Sequence, residues 1–193
     1  MTTTSSARRR ALVAAPLALG LGLAAVLVAD PAHAATIEVD TEADLAAAIT
    51  TANADPDQDT IALTGDITLT AALPWIREDL IIEGNSHTIH ASGLLALRFV
   101  SVDAEVHRLT IAGPSVGIHA TNGSLLVTNV TMTGVTATGL QMGSGDFELR
   151  NSSFTGTDAT SSYGLYLIPS GAGGNTMTVT DTSFTDFQYG LSA

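Results

Sequence analysis

Two pairs of side chains have a spacing that invites chemistry. Glu105 and His107 stand two residues apart, and so do Glu148 and Arg150. In an extended chain such neighbours emerge from one face, so each carboxylate is placed beside a base. If the two strands stack two windings apart, the carboxylates are about 10 Å from one another, close to the separation a glycosidase uses for its two acids. These four are the catalytic candidates. The competing reading is a solvated acidic face with one compensating Arg. His119, Gln141, Tyr166 and Ser192 form a second set, expected to project outward as a column, in which Tyr166 offers a ring for stacking on a sugar.

Other chemistry-bearing patterns have simpler explanations. Gly113-Pro114-Ser115-Val116-Gly117 has nucleophile-elbow spacing, but that elbow needs a helix after it and another short strand follows here, so a turn is expected. Asn122, Asn129 and Asn151 head glycosylation-type triplets. A corner Asn followed by a Ser/Thr-rich strand produces that pattern automatically. His87, His90, His107 and His119 lack metal-ligand spacing, and no metal site is expected.

The composition limits which elements could carry these residues. Of 193 residues, 45% are hydrophobic, 13% charged and 5% aromatic, so the core must be aliphatic. Seven Arg and no Lys oppose nineteen acids, for a net charge of −12, which repels a phosphate backbone and argues against nucleic acid as a partner. There is no cysteine, hence no disulfide frame and no thiolate chemistry.

Residues 1–34 read as an export signal: Arg8, Arg9 and Arg10 precede an apolar run over 11–28, and Ala32-His33-Ala34 supplies a small-x-small cleavage pattern. A chain cleaved after Ala34 keeps no stable membrane span and is secreted or held at the cell surface. Thr36 to Val39 alternates as a strand. Thr41-Glu42-Ala43-Asp44 then reads as a capping box that starts a helix over about 41–53. Residues 35–57 are thus expected to hold a strand and a capping helix, and 58–193 to hold short strands with a period of two.

Self-similarity decides how those strands assemble. The segments beginning at Val106, Val127, Leu149 and Val179 align, at intervals of 21, 22 and 30 residues. The longer interval carries an insertion over 170–175. A second column, Gly117-Ile118, Gly139-Leu140, Gly164-Leu165 and Gly190-Leu191, runs in the same period. A short all-strand repeat cannot bury its own apolar face, so its copies must stack. Val127 with Met132, Leu149 with Phe154 and Val179 with Phe184 are the expected interior pairs. Asn129, Asn151 and Asp181 fall at a corner that favours left-handed backbone, with Arg108 breaking the side-chain ladder one winding earlier.

This strand, Asn corner, strand and Gly-Leu pattern resembles the right-handed parallel β-helix of the pectin lyase-like superfamily. Residues 44–53, Asp59-Thr60-Ile61-Ala62-Leu63 and Leu80-Ile81-Ile82-Glu83-Gly84 resemble the N-terminal cap of secreted bacterial β-helix proteins. The resemblance implies an all-β solenoid whose N-terminal helix shields the first coil, and either a surface protein or a polysaccharide lyase or hydrolase. A lyase of this kind would gather Asp residues to hold Ca²⁺; Asp146, Asp158, Asp181 and Asp186 are the acids to be placed. Without that activity no cofactor is expected. The expected role is an exported, non-catalytic extracellular scaffold or adhesion-type surface protein. Its partner would be an extracellular polysaccharide or cell-surface glycan, and its oligomeric state is left open. The alternative is a lyase or glycoside hydrolase acting on cell-wall or plant polysaccharide. Gly190-Leu191-Ser192-Ala193 starts a strand without a closing cap, so a fragment of a longer β-helix is also expected.

Overall fold

The computed structural model describes residues 34–168 and 176–192; the stretch read as an export signal, all but Ala34, and the insertion expected over 170–175 lie outside the described residues. Strand Thr36–Val39 leads into helix α1, Glu42–Ala52. Thr41 starts the helix by accepting a hydrogen bond from the Asp44 backbone N–H at 3.2 Å, which satisfies one of the unpaired donors of the first turn. Leu45, Ala48, Ile49 and Ala52 are buried, and the helix packs on strands Thr36–Val39 and Asp59–Leu63.

Two polar side chains fix the helix to the following winding. Glu42 accepts the Thr70 and Ala71 backbone N–H groups at 2.8 Å each and the Thr70 hydroxyl at 2.7 Å. Asn53 donates to the Trp75 carbonyl and accepts from the Arg77 N–H, both at 2.7 Å.

Beyond the helix the chain winds into a parallel β-solenoid of about seven turns. The register columns define three faces. The first face stacks Ile37, Ile61, Ile82, Val106, Val127, Leu149 and Val179 in register. On the second face Ile67, Ile89, Ile111, Met132, Phe154 and Phe184 are stacked, and the Phe154 and Phe184 rings lie 5.3 Å apart. The third stacks Leu97, Ile118, Leu140, Leu165 and Leu191. The positions expected from the repeat to point inward do so. Val127, Met132, Leu149 and Phe154 are fully buried, while Val179 and Phe184 are partly buried against the same core. Each enclosed aliphatic side chain contributes about 1.5–3 kcal/mol, so the columns are the main stabilising feature.

The corner between the first and second faces is left-handed at Arg108 (φ 48°), Asn129 (φ 57°), Asn151 (φ 48°) and Asp181 (φ 48°). Arg108 occupies this corner without continuing an Asn/Asp side-chain ladder, its guanidinium pairing instead with Glu83 at 2.9 Å. Winding-to-winding bonding runs through the backbone, with the Arg108 N–H on the Thr128 carbonyl and the Asn129 N–H on the Arg150 carbonyl, both at 3.1 Å. Any non-proline residue supplies that donor. The side-chain ladder forms one position later: the Ser152 hydroxyl accepts from the Val130 N–H at 3.1 Å and donates to the Arg150 carbonyl at 2.8 Å.

The glycine column is explained by contact. A Cβ on Gly139 would lie 2.6 Å from the Gly164 carbonyl oxygen, and one on Gly164 would lie 2.5 Å from the Phe184 ring. Large residues on the second face therefore require glycine on the third.

Candidate functional site

The first face carries the acid-base pairs on its outer side. Glu105 and Glu148 both align with Leu126, which lies between them, so they are two windings apart as the repeat implied. Each is already engaged within its own winding. The His107 ring nitrogen Nε2 lies 2.8 Å from Glu105 Oε2, and Arg150 Nε donates to Glu148 Oε1 at 2.6 Å, with a second contact from Arg150 Nη2.

A groove of about 370 Å³ passes over this region, lined by Asp103, Glu105, Leu126, Asp146, Glu148 and Thr178 among others. Acids along this face also serve the backbone. Asp79 accepts the Asp103 N–H at 2.8 Å, and Asp103 accepts the Ser124 N–H at 2.9 Å and the Ser124 hydroxyl at 2.7 Å.

The carboxylates named for Ca²⁺ do not converge. Asp146 begins a first-face strand, and Asp181 sits at the left-handed corner. Asp158 and Asp186 meet at another corner through a backbone hydrogen bond of 3.0 Å. Among the described residues no group of three or more His, Asp or Glu is placed to hold a metal ion. The described side chains do not fit a calcium cage. Ser115 lies in the turn expected of it, before strand Val116–Thr128.

The third face carries the other set. Arg98, His119, Gln141, Tyr166 and Ser192 occupy successive positions in register, so the outward column anticipated from the repeat exists and is longer by Arg98. Tyr166 belongs to an aromatic cluster. Tyr163 stacks on Tyr189 at 5.1 Å and lies 4.9 Å from Tyr166, because Thr138, Tyr163 and Tyr189 form a parallel register column of their own. Tyr189 is 46% exposed, so the cluster is open to a ligand.

At the other end stands Trp75, 44% exposed. The bridge between Ile76 and Phe99 places Trp75 beside Arg98, whose guanidinium carbon lies 3.8 Å from the ring centroid. Arg77 also approaches, at 5.2 Å. Four windings separate Trp75 from Tyr166, about 19 Å at the spacing of adjacent strands. Burial, and then the charge of Arg98, holds the His119 imidazole below its ordinary pKa, so it is neutral near pH 7 and offers one donor and one acceptor. Aromatic ends joined by polar side chains suit an extended polyhydroxylated ligand: rings stack on sugar faces while amide, imidazole and hydroxyl groups meet hydroxyls.

The residues missed from sequence were Trp75, Arg77, Arg98, Tyr163 and Tyr189. The signal for Tyr163 and Tyr189 was their shared offset before the Gly-Leu column. Trp75 lies in an irregular stretch with no repeat to place it.

A family model described as a pectate lyase-like adhesive domain matches residues 36–189. No curated protein and no solved structure matches the chain significantly.

Proposed function

Since this chain belongs to the pectate lyase-like adhesive domain family, we propose that it is an exported, non-catalytic adhesion-type scaffold that meets a cell-surface or extracellular glycan through its third face. The observation that carries this reading is the in-register outward column from Arg98 to Ser192, with aromatic rings at both ends. A solenoid repeats one outward position at a fixed step, so weak contacts to successive sugars add along a single line. Export is supported by the Arg8–Arg10 cluster, the apolar run after it and the cleavage pattern at Ala34.

The test is a glycan array and pull-down on insoluble polysaccharides with the full chain, alongside assays for reducing ends and unsaturated products with and without Ca²⁺. Retention on a polysaccharide without turnover, lost on Tyr166→Ala, is expected.

A second reading, a polysaccharide lyase or hydrolase, is favoured by the presence of Glu105 and Glu148 on the wall of one groove. Turnover abolished by Glu105→Gln or Glu148→Gln would establish it. Against it stands the engagement of both carboxylates with bases of their own winding.

A further inference from the structure

We propose that Arg98 and Arg77, gathered on Trp75, form an anion-binding subsite at the helix end of the third face, so that the glycan taken there carries an acidic sugar. This rests on the glycan-binding reading above and specifies the ligand class.

The arginines of the described residues fall into two groups. Arg108 pairs with Glu83 at 2.9 Å and Arg150 pairs with Glu148. Arg77 and Arg98 have no carboxylate partner among the described residues, although acids outnumber bases nineteen to seven in the chain. Both unpaired guanidiniums instead lie against one indole, at 5.2 and 3.8 Å from its centroid. Arg98 Nε is buried without a hydrogen-bond partner. The neighbours of Arg98 in the outward column are Trp75 and a neutral His119, neither of which competes for its charge.

The site is also held in place before any ligand arrives. Asn53 clamps the backbone on both sides of Ile76, accepting from the Arg77 N–H and donating to the Trp75 carbonyl. A shallow depression of about 550 Å³ lined by Thr50, Asn53, Pro74, Trp75 and Arg77 leaves room for a ring. A guanidinium over an indole can still donate in its own plane, which matches the two oxygens of a carboxylate or the edge of a sulfate. The overall negative charge repels polyanions at long range. The subsite therefore selects a glycan with spaced acidic groups over a densely charged one.

The experiment is calorimetric titration of the full chain with a glucuronate-containing oligosaccharide, the same oligosaccharide with carboxyls reduced to alcohols, and a sulfated neutral counterpart. Wild type is expected to prefer one of the two anionic forms over the reduced one, the preferred form telling carboxylate from sulfate. Arg98→Gln should weaken the preferred form by about tenfold or more while leaving the reduced form unchanged. Arg77→Gln should act in the same direction. Arg98→Lys keeps the positive charge but loses the planar stacking and the fork, and should recover only part of the affinity. Melting midpoints check that each variant is folded, and Arg77→Gln serves if Arg98→Gln is not. Equal binding of anionic and reduced forms, or anionic binding untouched by both arginine substitutions, overturns the subsite while leaving the adhesion reading intact. Binding of none of the three also overturns it, and the glycan array then decides the wider reading separately.

Discussion

Replacing Gly139 with alanine separates two explanations for the Gly-Leu column. Gly139 has no left-handed backbone, and in such places Gly→Ala ordinarily stabilises a protein by about 0.4–1 kcal/mol through the unfolded chain. Here the added Cβ would stand 2.6 Å from the Gly164 carbonyl oxygen and 3.2 Å from Phe154 Cδ1. A carbon ordinarily approaches a carbonyl oxygen to about 3.3–3.6 Å, so the overlap is about 0.7 Å or more. The obstacle is backbone of the next winding, which cannot rotate aside. Relief requires parting two windings and stretching their hydrogen bonds, a form of overpacking that costs about 1–3 kcal/mol. For a domain of this size that lowers the melting midpoint by about 2–12 °C, at roughly 2–4 °C per kcal/mol. Thermal unfolding followed by circular dichroism measures it. Gly65→Ala is the control, since its nearest neighbour is the Asp40 Cβ at 3.3 Å, and it should shift the midpoint little. An unchanged or raised midpoint for Gly139→Ala would refute the close approach of windings at the third face.

Three further outcomes follow from named contacts. Ser152→Ala removes the acceptor of the buried Val130 N–H and should cost about 1–3 kcal/mol in urea unfolding; Ser152→Thr should be mild, since Thr182 holds the equivalent place one winding on and bonds the Thr180 carbonyl. The Glu42 carboxyl is held below its ordinary pKa by hydrogen bonds from the Thr70 hydroxyl and the Ala71 and Thr70 N–H groups. Its contribution is therefore present above the unfolded carboxylate pKa and is lost as pH falls through the lower folded value. Protection of the Thr70 and Ala71 amides, taken relative to the intrinsic exchange rate at each pH, should fall over that acid window, and in Glu42→Gln it should be lower at neutral pH already. Phe154→Ala, which opens a gap between Met132 and Phe184 in the second-face column, should cost about 3–5 kcal/mol, read from the shift in the urea midpoint.

Much of the architecture was legible before any coordinates. Val106, Val127, Leu149 and Val179 share a repeat position, and stacking identical positions is how a short strand repeat gains a core. The same period placed His119, Gln141, Tyr166 and Ser192 in one outward column and put Glu105 two windings from Glu148. Helix α1 was readable from Thr41 and Asp44 because capping is a local interaction. The pinning role of Glu42 was not, since its partners Thr70 and Ala71 are reached only after the chain has turned back.

The amino-acid sequence by itself determined periodicity: which positions point inward, where the backbone turns left-handed at Asn129 and Asn151, and that successive copies must lie one upon another. Tertiary structure alone decided what meets across windings outside that period. It brought Trp75 from an irregular stretch onto Arg98 and carried Glu42 of the helix onto the Thr70 and Ala71 N–H groups. The physical reason is that a repeat specifies the step between equivalent backbones. Side-chain rotamers and irregular connections are settled only when the neighbouring winding is in place to receive them.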